Sequence, residues 1–266
     1  MPTLEIESQV QLHYADQGSG ETAWLMFNGA GLPLQFWDKV ADNLSSEQRV
    51  IRFDHRNAGH TIASGHFSLH DVAADAYKLL LHLEVERVLI AGHAWGGRVA
   101  QIFARDYPFA VAGMALCGTG GQFAPTADPD LQQHLRQSLR SGNRRDWEDA
   151  LQKVFIGPGY AQRDPTGFQQ ISDLLWARPT GQKAKWEPRI APSESYWGQP
   201  QLPTLLLYGS HDHFGTLDNA KDLHNRIAGS QLHIIEDTGH FLIRERHKEV
   251  AERLQAFAKQ IEEGQR

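Results

Sequence analysis

The sequence predicts an α/β protein with a mostly parallel central sheet, helices on both of its faces and one inserted helical segment. Two observations support this prediction. Short apolar runs alternate with helical periodicity up to about residue 122 and again from residue 199, and the stretch between these two parts is polar and helix-forming. At 266 residues, the chain is long enough to bury a substantial core.

Six apolar runs have the length and composition of buried strands. They lie at residues 24–27, 50–53, 87–91, 111–116, 205–208 and 232–235. Turns that contain Gly, Asn or His follow them, which is the expected punctuation between strands and helices.

Capping and spacing predict the helices. Ser68 with Asp71 three residues later resembles a helix N-cap, and apolar residues follow on one face. A second helix follows Ala94 and packs on the sheet. The apolar face of the final helix consists of Val250, Leu254, Phe257 and Ile261.

From residue 123 to residue 198 the pattern changes to helix-forming sequence, interrupted by prolines and without convincing strands. We therefore expect one α/β core, formed by residues 1–122 and 199–266, and a helical cap inserted at residues 123–198. The cap is rich in large aromatic residues, and we expect most of them to fill its own core and some to face a pocket: Trp147, Phe155, Tyr160, Phe168, Trp176, Trp186, Tyr196 and Trp197.

Charge and cysteine content narrow the class of protein. With 26 Lys and Arg against 32 Asp and Glu, the net charge of −6 argues against nucleic acid as a partner. The single cysteine, Cys117, excludes an internal disulfide and a thiolate metal cluster. No run has the pattern of a signal peptide or the length of a membrane span, so we expect a cytoplasmic protein without a membrane partner.

The strongest local motif is Gly92-His93-Ala94-Trp95-Gly96, which directly follows a predicted strand and directly precedes a helix. It has the form of the G-x-S-x-G nucleophile elbow, with alanine in the place of serine. In an elbow the glycines permit a sharp turn, so that the central side chain stands above the strand ends. Here that side chain is a methyl group, which cannot act as a nucleophile.

Two later segments supply an acid and a base in the chain order expected after an elbow. Asp212 follows the strand at 205–208, and His240 follows the strand at 232–235. Asp212 could accept a hydrogen bond from one ring nitrogen of His240, which would leave the other nitrogen as a general base directed at position 94.

A glycine turn, Asn28-Gly29-Ala30-Gly31, follows the first predicted strand. The backbone N–H groups of Ala30 and of Trp95, which follows the elbow centre, are the candidate oxyanion-hole donors. Taken alone, the turn would be interpreted as an ordinary glycine turn, and the neighbouring motifs favour the oxyanion role. The segment at 54–61 is interpreted as structural support for the loops beside the site.

These motifs resemble those of the α/β-hydrolase superfamily over essentially the whole chain. Residues 28–31 match the His-Gly-x-Gly loop with Asn28 in place of His, and residues 54–61 match Asp-x-Arg-Gly-x-Gly-x-Ser with departures at Asn57 and Thr61. The elbow is similar to the Gly-His-Ser-Trp-Gly-Gly of capped bacterial esterases, lactonases, enol-lactonases and C–C bond hydrolases. The resemblance implies that Asp212 is the acid, His240 the base and Ala94 a vacant nucleophile position.

Three hypotheses account for Ala94. The first is a serine hydrolase for a carboxylic ester, lactone or related carbonyl, disabled by a serine-to-alanine change. In the second, Ala94 is natural and His240 with Asp212 serves as the base of a cofactor-independent dioxygenase or lyase. In the third, the chain is a binding relative of hydrolases that closes its cap over a ligand.

The expected substrate is a small molecule with an apolar or aromatic portion, contacted by Gly29, Trp37 and Phe241. No cofactor and no metal are expected, because neither a metal-ligand spacing nor a dinucleotide or P-loop pattern occurs. Cys117 is interpreted as a buried structural thiol, and His93 and His211 as packing and hydrogen-bonding residues. The sequence leaves open whether the protein is a homodimer.

Overall fold

A computed structural model describes residues 1–20, 22–56, 58–120, 128–176, 185–186 and 201–264. Its strands are β1 (Thr3–Glu7), β2 (Val10–Gln17), β3 (Ala23–Phe27), β4 (Arg49–Phe53), β5 (Ile62–Ala63), β6 (His66–Phe67), β7 (Val88–His93), β8 (Val111–Cys117), β9 (Lys185–Trp186), β10 (Thr204–Gly209) and β11 (Gln231–Ile235).

Helices connect and cover these strands. They are α1 (Asp38–Leu44), α2 (Leu69–His82), α3 (Trp95–Asp106), α4 (Pro129–Ser141), α5 (Arg144–Val154), α6 (Tyr160–Arg163), α7 (Pro165–Trp176), α8 (Leu217–Arg226), α9 (Leu242–Glu245) and α10 (His247–Gly264), with 3-10 turns at Leu34–Trp37 and Pro108–Ala110.

The main sheet has the strand order β1-β2-β4-β3-β7-β8-β10-β11, and β5 pairs with β2 at one end. Strand β2 runs antiparallel to β1 and β4. Every pair from β4 to β11 is parallel. The predicted fold class, a mostly parallel sheet flanked by helices, is confirmed.

Alternate side chains of the central strands enter two different cores. In β3, Leu25 and Phe27 pack into the core that contains α2, α3 and α8, whereas Trp24 and Met26 pack into the core that contains α1 and α10. Because both faces of the strand are covered, all five of its residues are buried. This burial explains why such strands appear in the sequence as continuous apolar runs.

All six predicted strands are present, at β3, β4, β7, β8, β10 and β11. The predicted N-cap of α2 is a complete capping box, in which Ser68 and Asp71 each accept a hydrogen bond from the other's backbone N–H. Strands β1 and β2 were not predicted. Exposed polar residues alternate with more buried ones along β1, so no continuous apolar run identifies it.

The segment between β8 and β10 is helical as predicted, with α4 to α7 in its described part. One expectation is wrong: a short strand does occur there, since β9 pairs in parallel with β6. Two paired residues are too few to leave a period in the sequence. The predicted cap boundaries at 122/123 and 198/199 lie outside the described residues.

The aromatic residues of this segment differ in burial. Trp147 and Tyr160 are buried among apolar neighbours, and Trp176 is exposed. The side chains of Trp186, Tyr196 and Trp197 lie outside the described part. No helix in the described ranges combines the length and apolarity needed to cross a bilayer.

Candidate active site

Ala94 forms the turn between β7 and α3 in a conformation that is rare for a residue with a side chain, with φ 51° and ψ −117°. Its N–H donates to the carbonyl of Cys117 at 2.9 Å, and its carbonyl accepts from the N–H of Gly97 at 3.1 Å. This strained strand-to-helix turn is the backbone geometry of a nucleophile elbow.

Glycines around Ala94 permit the turn. A Cβ atom on Gly92 would lie 2.5 Å from Cα of Gly97, and one on Gly96 would lie 2.4 Å from the carbonyl oxygen of Phe27. Helix α3 therefore approaches β3 and β7 too closely for any side chain at these positions. The elbow is held by this backbone packing, which makes no demand on the side chain at position 94.

His240 and Asp212 form the predicted pair. Nδ1 of His240 lies 2.9 Å from Oδ1 and 3.0 Å from Oδ2 of Asp212, and both residues are buried. Since a carboxylate only accepts, Nδ1 is the donor, and the neutral ring keeps an unprotonated Nε2. Oδ1 also accepts from the N–H groups of Phe214 at 2.7 Å and Gly215 at 2.9 Å, which fix the carboxylate.

The end of β8 brings Ala94 and the pair together. Cys117 accepts the hydrogen bond from Ala94, and a Cβ on the next residue, Gly118, would lie 2.8 Å from Oδ2 of Asp212. Gly118 has a φ of +54°, so this close approach and its backbone both favour glycine. The three predicted positions thus meet at the carboxyl end of the parallel strands.

His93, the last residue of β7, connects the elbow to the segment that carries His240. Its Nε2–H donates to the carbonyl of His240 at 2.8 Å, and the two ring centroids are 5.1 Å apart. Complete burial lowers the pKa of His93 to about 3, so the ring is neutral near pH 7. The interpretation of His93 as a packing and hydrogen-bonding residue agrees with these contacts.

The glycine turn after β3 has an ordered backbone. The carbonyl of Gly29 accepts from the N–H of Leu32 at 3.1 Å and lies 3.2 Å from Nε2 of His55. This carbonyl and the N–H of Ala30 belong to one trans peptide, so they point in opposite directions. Contacts that fix the carbonyl therefore fix the direction of the Ala30 N–H. The ring of His55 also lies 4.7 Å from that of Trp95, the first residue of α3.

Two of the three predicted substrate contacts lie in packed positions. Trp37 has no exposed surface, and its indole Nε1–H donates to the carbonyl of Phe27 at 3.3 Å. Phe241 is 4% exposed and stacks on Phe155 at a centroid distance of 5.0 Å. We therefore assign both rings to packing. Gly29 is buried at the base of its turn, beside His93.

The segment at 54–61 is organised around a buried carboxylate. Asp54 accepts from the N–H groups of Leu34 at 2.6 Å and His60 at 2.8 Å, and it lies 2.6 Å from Nδ1 of His13. A Cβ on Gly59 would lie 2.0 Å from this carboxylate. These contacts tie separate loops together and support the structural interpretation of the segment.

Cys117 lies close to the elbow, but its thiol is buried. Burial raises the pKa of the Cys117 thiol to about 12, which leaves it protonated and unreactive near neutral pH. Within the described ranges, no three His, Cys, Asp or Glu side chains come together as a metal site.

Sequence analysis missed His55 and Glu245. Glu245 is buried at the end of α9, and its carboxylate accepts from the N–H groups of Gly157 and Gly239. The available signal was an acidic residue in the apolar run after His240, and nothing nearby in the sequence identifies its partners.

Comparison with known proteins agrees with this geometry. The family model described as the alpha/beta hydrolase fold matches residues 25–246. A poly(3-hydroxyalkanoate) depolymerase from Ectopseudomonas oleovorans is 27% identical, with 90% of this chain and 85% of that protein covered. The 2-hydroxy-6-oxononadienedioate/2-hydroxy-6-oxononatrienedioate hydrolase of Paraburkholderia xenovorans (strain LB400) is 28% identical, with 89% and 86% covered.

Solved structures show the same fold. The enol-lactonase from Burkholderia xenovorans LB400 superimposes with a TM-score of 0.79 at 22% identity, with 97% of this chain and all of that chain covered. A thermophilic esterase from Thermogutta terrifontis gives a TM-score of 0.77 at 22% identity, with 95% and 94% covered. The family model covers most of the chain, from the first parallel strand to the helix after His240, and this chain is a member of the α/β-hydrolase family.

Proposed function

We propose that this site belongs to a hydrolase of the serine type, acting on a carboxylic ester, a lactone or a related carbonyl compound, in which Ala94 occupies the place of the nucleophile. The observation that carries the proposal is the intact hydrogen-bonded pair of Asp212 and His240, next to an elbow whose backbone is already in the strained conformation that presents a nucleophile.

With serine at position 94, each group has a role. His240 Nε2 takes the hydroxyl proton while Oγ attacks the substrate carbonyl, and the proton then passes to the leaving group. Asp212 stabilises the protonated ring through Nδ1–H. Water cleaves the resulting acyl-enzyme by the same steps in reverse order, with His240 again as the base.

Two backbone donors would stabilise the oxyanion of each tetrahedral intermediate. The Ala30 N–H has its direction fixed through the Gly29 carbonyl, and the Trp95 N–H stands at the start of α3, where the helix dipole favours negative charge. His55 lies beside both donors: its Nε2 is 3.2 Å from the Gly29 carbonyl oxygen, and its ring centroid is 4.7 Å from that of Trp95.

The substrate class rests on the relatives. Their names describe a depolymerase of poly(3-hydroxyalkanoate), a hydrolase of 2-hydroxy-6-oxononadienedioate and 2-hydroxy-6-oxononatrienedioate, and an enol-lactonase. A substrate with an apolar or aromatic portion suits a site in which the rings of Phe155 and Phe214 lie beside His240 and that of Trp95 beside His55. We propose that the segment at 123–198 is a cap. The cytoplasm remains the proposed location.

As it stands, the chain should bind this substrate and hydrolyse it scarcely at all. Removing the nucleophile of a triad costs about 10⁶-fold in turnover, because its members act as a unit. Residual rate comes from the remaining binding and oxyanion interactions.

A second candidate function follows from the same pair. His240 Nε2 could remove a proton from an acidic substrate without forming a covalent intermediate, as in the cofactor-independent lyases and dioxygenases of this superfamily. The observation in its favour is that the base and its acid are complete while the nucleophile is absent.

The deciding experiment compares the chain, Ala94→Ser and Ala94→Ser/His240→Ala with a panel of aryl esters, lactones and a serine-directed phosphonate. We expect labelling and turnover by Ala94→Ser alone, with turnover at least 10⁴-fold above the unmodified chain, a conservative part of the roughly 10⁶-fold triad effect. If Ala94→Ser folds but is neither labelled nor active, the hydrolase proposal is rejected in favour of the second candidate.

A further inference from the structure

Two segments that are far apart in the chain are in contact beside His240. We call residues 155–159, between α5 and α6, the junction segment, and residues 236–241, between β11 and α9, the histidine loop. The N–H of Phe241 donates to the carbonyl of Phe155 at 3.3 Å, and the two rings stack. The junction segment therefore lies directly on the loop that carries His240.

This contact leaves no room for side chains. A Cβ on Gly157 would lie 2.4 Å from the carbonyl oxygen of Asp237, and a Cβ on Gly239 would lie 2.5 Å from the carbonyl oxygen of Phe155. If the junction segment moved by about an ångström, the backbone of the histidine loop would therefore have to move with it.

One carboxylate joins the two segments. Oε2 of Glu245 accepts from the N–H of Gly157 at 2.8 Å, and Oε1 accepts from the N–H of Gly239 at 3.1 Å. Gly239 immediately precedes His240. Glu245 is 7% exposed and forms no ion pair with a Lys or Arg in the described part of the chain, so these two amides are its principal partners.

We propose that Glu245 is a positioning residue for His240: its carboxylate clamps the junction segment to the histidine loop, and the charge on this carboxylate controls how tightly the two are held. The role of His240 as the base is taken from the proposed function, whereas the clamp itself is independent of that function.

A carboxylate and a carboxylic acid hold the two amides differently. The ionised group offers a charged acceptor to each N–H, and hydrogen bonds to a charged acceptor are about twice as strong as neutral ones. Protonation converts one oxygen into a hydroxyl, which is a poorer acceptor for the N–H that faces it. One arm of the clamp therefore weakens when Glu245 takes up a proton.

The groups that face Glu245 come from each surrounding element. Asp212 raises its pKa, Arg246 lowers it, and Tyr160 approaches from α6. The other charged or titratable groups nearby are Arg163, Asp164, Asp237, His240 and Arg244. Burial is the largest influence and raises the pKa of Glu245 to about 7, so the charge changes near neutral pH.

The test is an NMR titration of the unmodified full chain, which needs no enzymatic activity. It follows the amide protons of Gly157 and Gly239 and the Nδ1 proton of His240 from pH 5.5 to 8.5. We expect all three signals to shift with one shared midpoint near pH 7, because a single carboxylate contacts both amides.

Glu245→Gln should abolish the shared titration, since the side chain no longer ionises. The matched control is Glu252→Gln, which removes the same charge from an exposed position on α10 and should leave the titration unchanged. If Glu245→Gln does not fold, Glu245→Asp provides the second variant: its shorter side chain should keep one of the two amide shifts and lose the other.

Separate midpoints for the two amides, or a shared titration that persists in Glu245→Gln, would overturn the clamp. Shared amide shifts without any response of the His240 proton would overturn its positioning role. Since every signal is read from the chain with Ala94, a negative result here is distinct from a failure of Ala94→Ser to hydrolyse esters.

Discussion

The elbow and the histidine loop reach the same edge of the sheet, but different forces hold them there. The elbow around Ala94 is fixed by backbone packing at Gly92 and Gly96. The histidine loop also packs closely, at Gly239, but it depends in addition on hydrogen bonds that involve the side chains of Asp212, Glu245 and His93. The shape of the elbow therefore does not require a reactive side chain at position 94, whereas the histidine loop requires the hydrogen bonds of these three side chains.

The largest effect is expected from Asp212→Asn in the Ala94→Ser background. An amide nitrogen facing Nδ1 of His240 would favour the wrong tautomer, with Nε2 protonated and unable to act as a base. Turnover should fall by about 10⁴-fold, as in the corresponding change of serine proteases. The measurement is steady-state hydrolysis of an aryl ester, and a loss below tenfold would show that Asp212 does not orient the base.

His93, next to Ala94 in the elbow, should make the stability of the folded chain depend on pH. Its pKa is about 3 in the folded chain and 6.5 ordinarily, so between these values the unfolded chain binds a proton that the folded chain does not. Stability should therefore fall as the pH falls from 6.5 towards 3, by at most about 5 kcal/mol. His93→Gln should remove this slope in urea unfolding from pH 7 to 4, and exposed His82→Gln is the control.

Glu245, which contacts the histidine loop, should change the stability with pH in the direction opposite to His93. Its pKa is about 7 in the folded chain and 4.5 ordinarily, so the folded chain retains a proton that the unfolded chain has lost. Stability should fall as the pH rises from 4.5 to 7, by about 3 kcal/mol.

In the unmodified chain, Glu245 and His93 change the stability in opposite directions as the pH varies between 4.5 and 6.5, so their effects partly cancel. Glu245→Gln should expose the slope of His93, seen as a steeper loss of stability in acid than in the unmodified chain. An unchanged difference in stability between pH 5 and pH 7 would contradict this assignment.

The smallest effect tests the packing of the elbow. Gly96→Ala places a Cβ against the carbonyl oxygens of Phe27 and Asn28, which should cost about 1–3 kcal/mol of stability. Gly120→Ala is the matched control, because the nearest atoms to its Cβ would lie at 3.5 Å, an ordinary contact. Equal midpoints of thermal unfolding for the two variants would show that close packing does not hold the elbow.

Parts of the fold that depend on local pattern could be predicted from the sequence. Strands β3, β7 and β10 are buried on both faces and therefore form apolar runs, and the cap at Ser68 needs only a residue three positions away. Strand β1 could not be predicted, because its pairing with β2 leaves it largely exposed.

In the site, too, residues in local motifs could be predicted and long-range partners could not. Ala94, Asp212 and His240 could be predicted because each lies in the turn after a predicted strand and their order along the chain matches a known scheme. The partners of Glu245 could not be found, since Gly157 lies 88 residues away and takes part through its backbone N–H. Likewise, the contact between His55 and Gly29 involves a backbone carbonyl, which every residue type possesses.

The bond between His93 and His240 also has a consequence for the order of folding. It joins residues that are 147 positions apart, whereas the hydrogen bond from Gly97 to Ala94 closes a single turn. Closing a long loop costs more entropy and slows the formation of the contacts that it brings together. We therefore expect amides of the elbow to gain protection early in pulse-labelled refolding and those of the histidine loop to gain it last, so that the geometry of the base matures only when the rest of the chain has already folded.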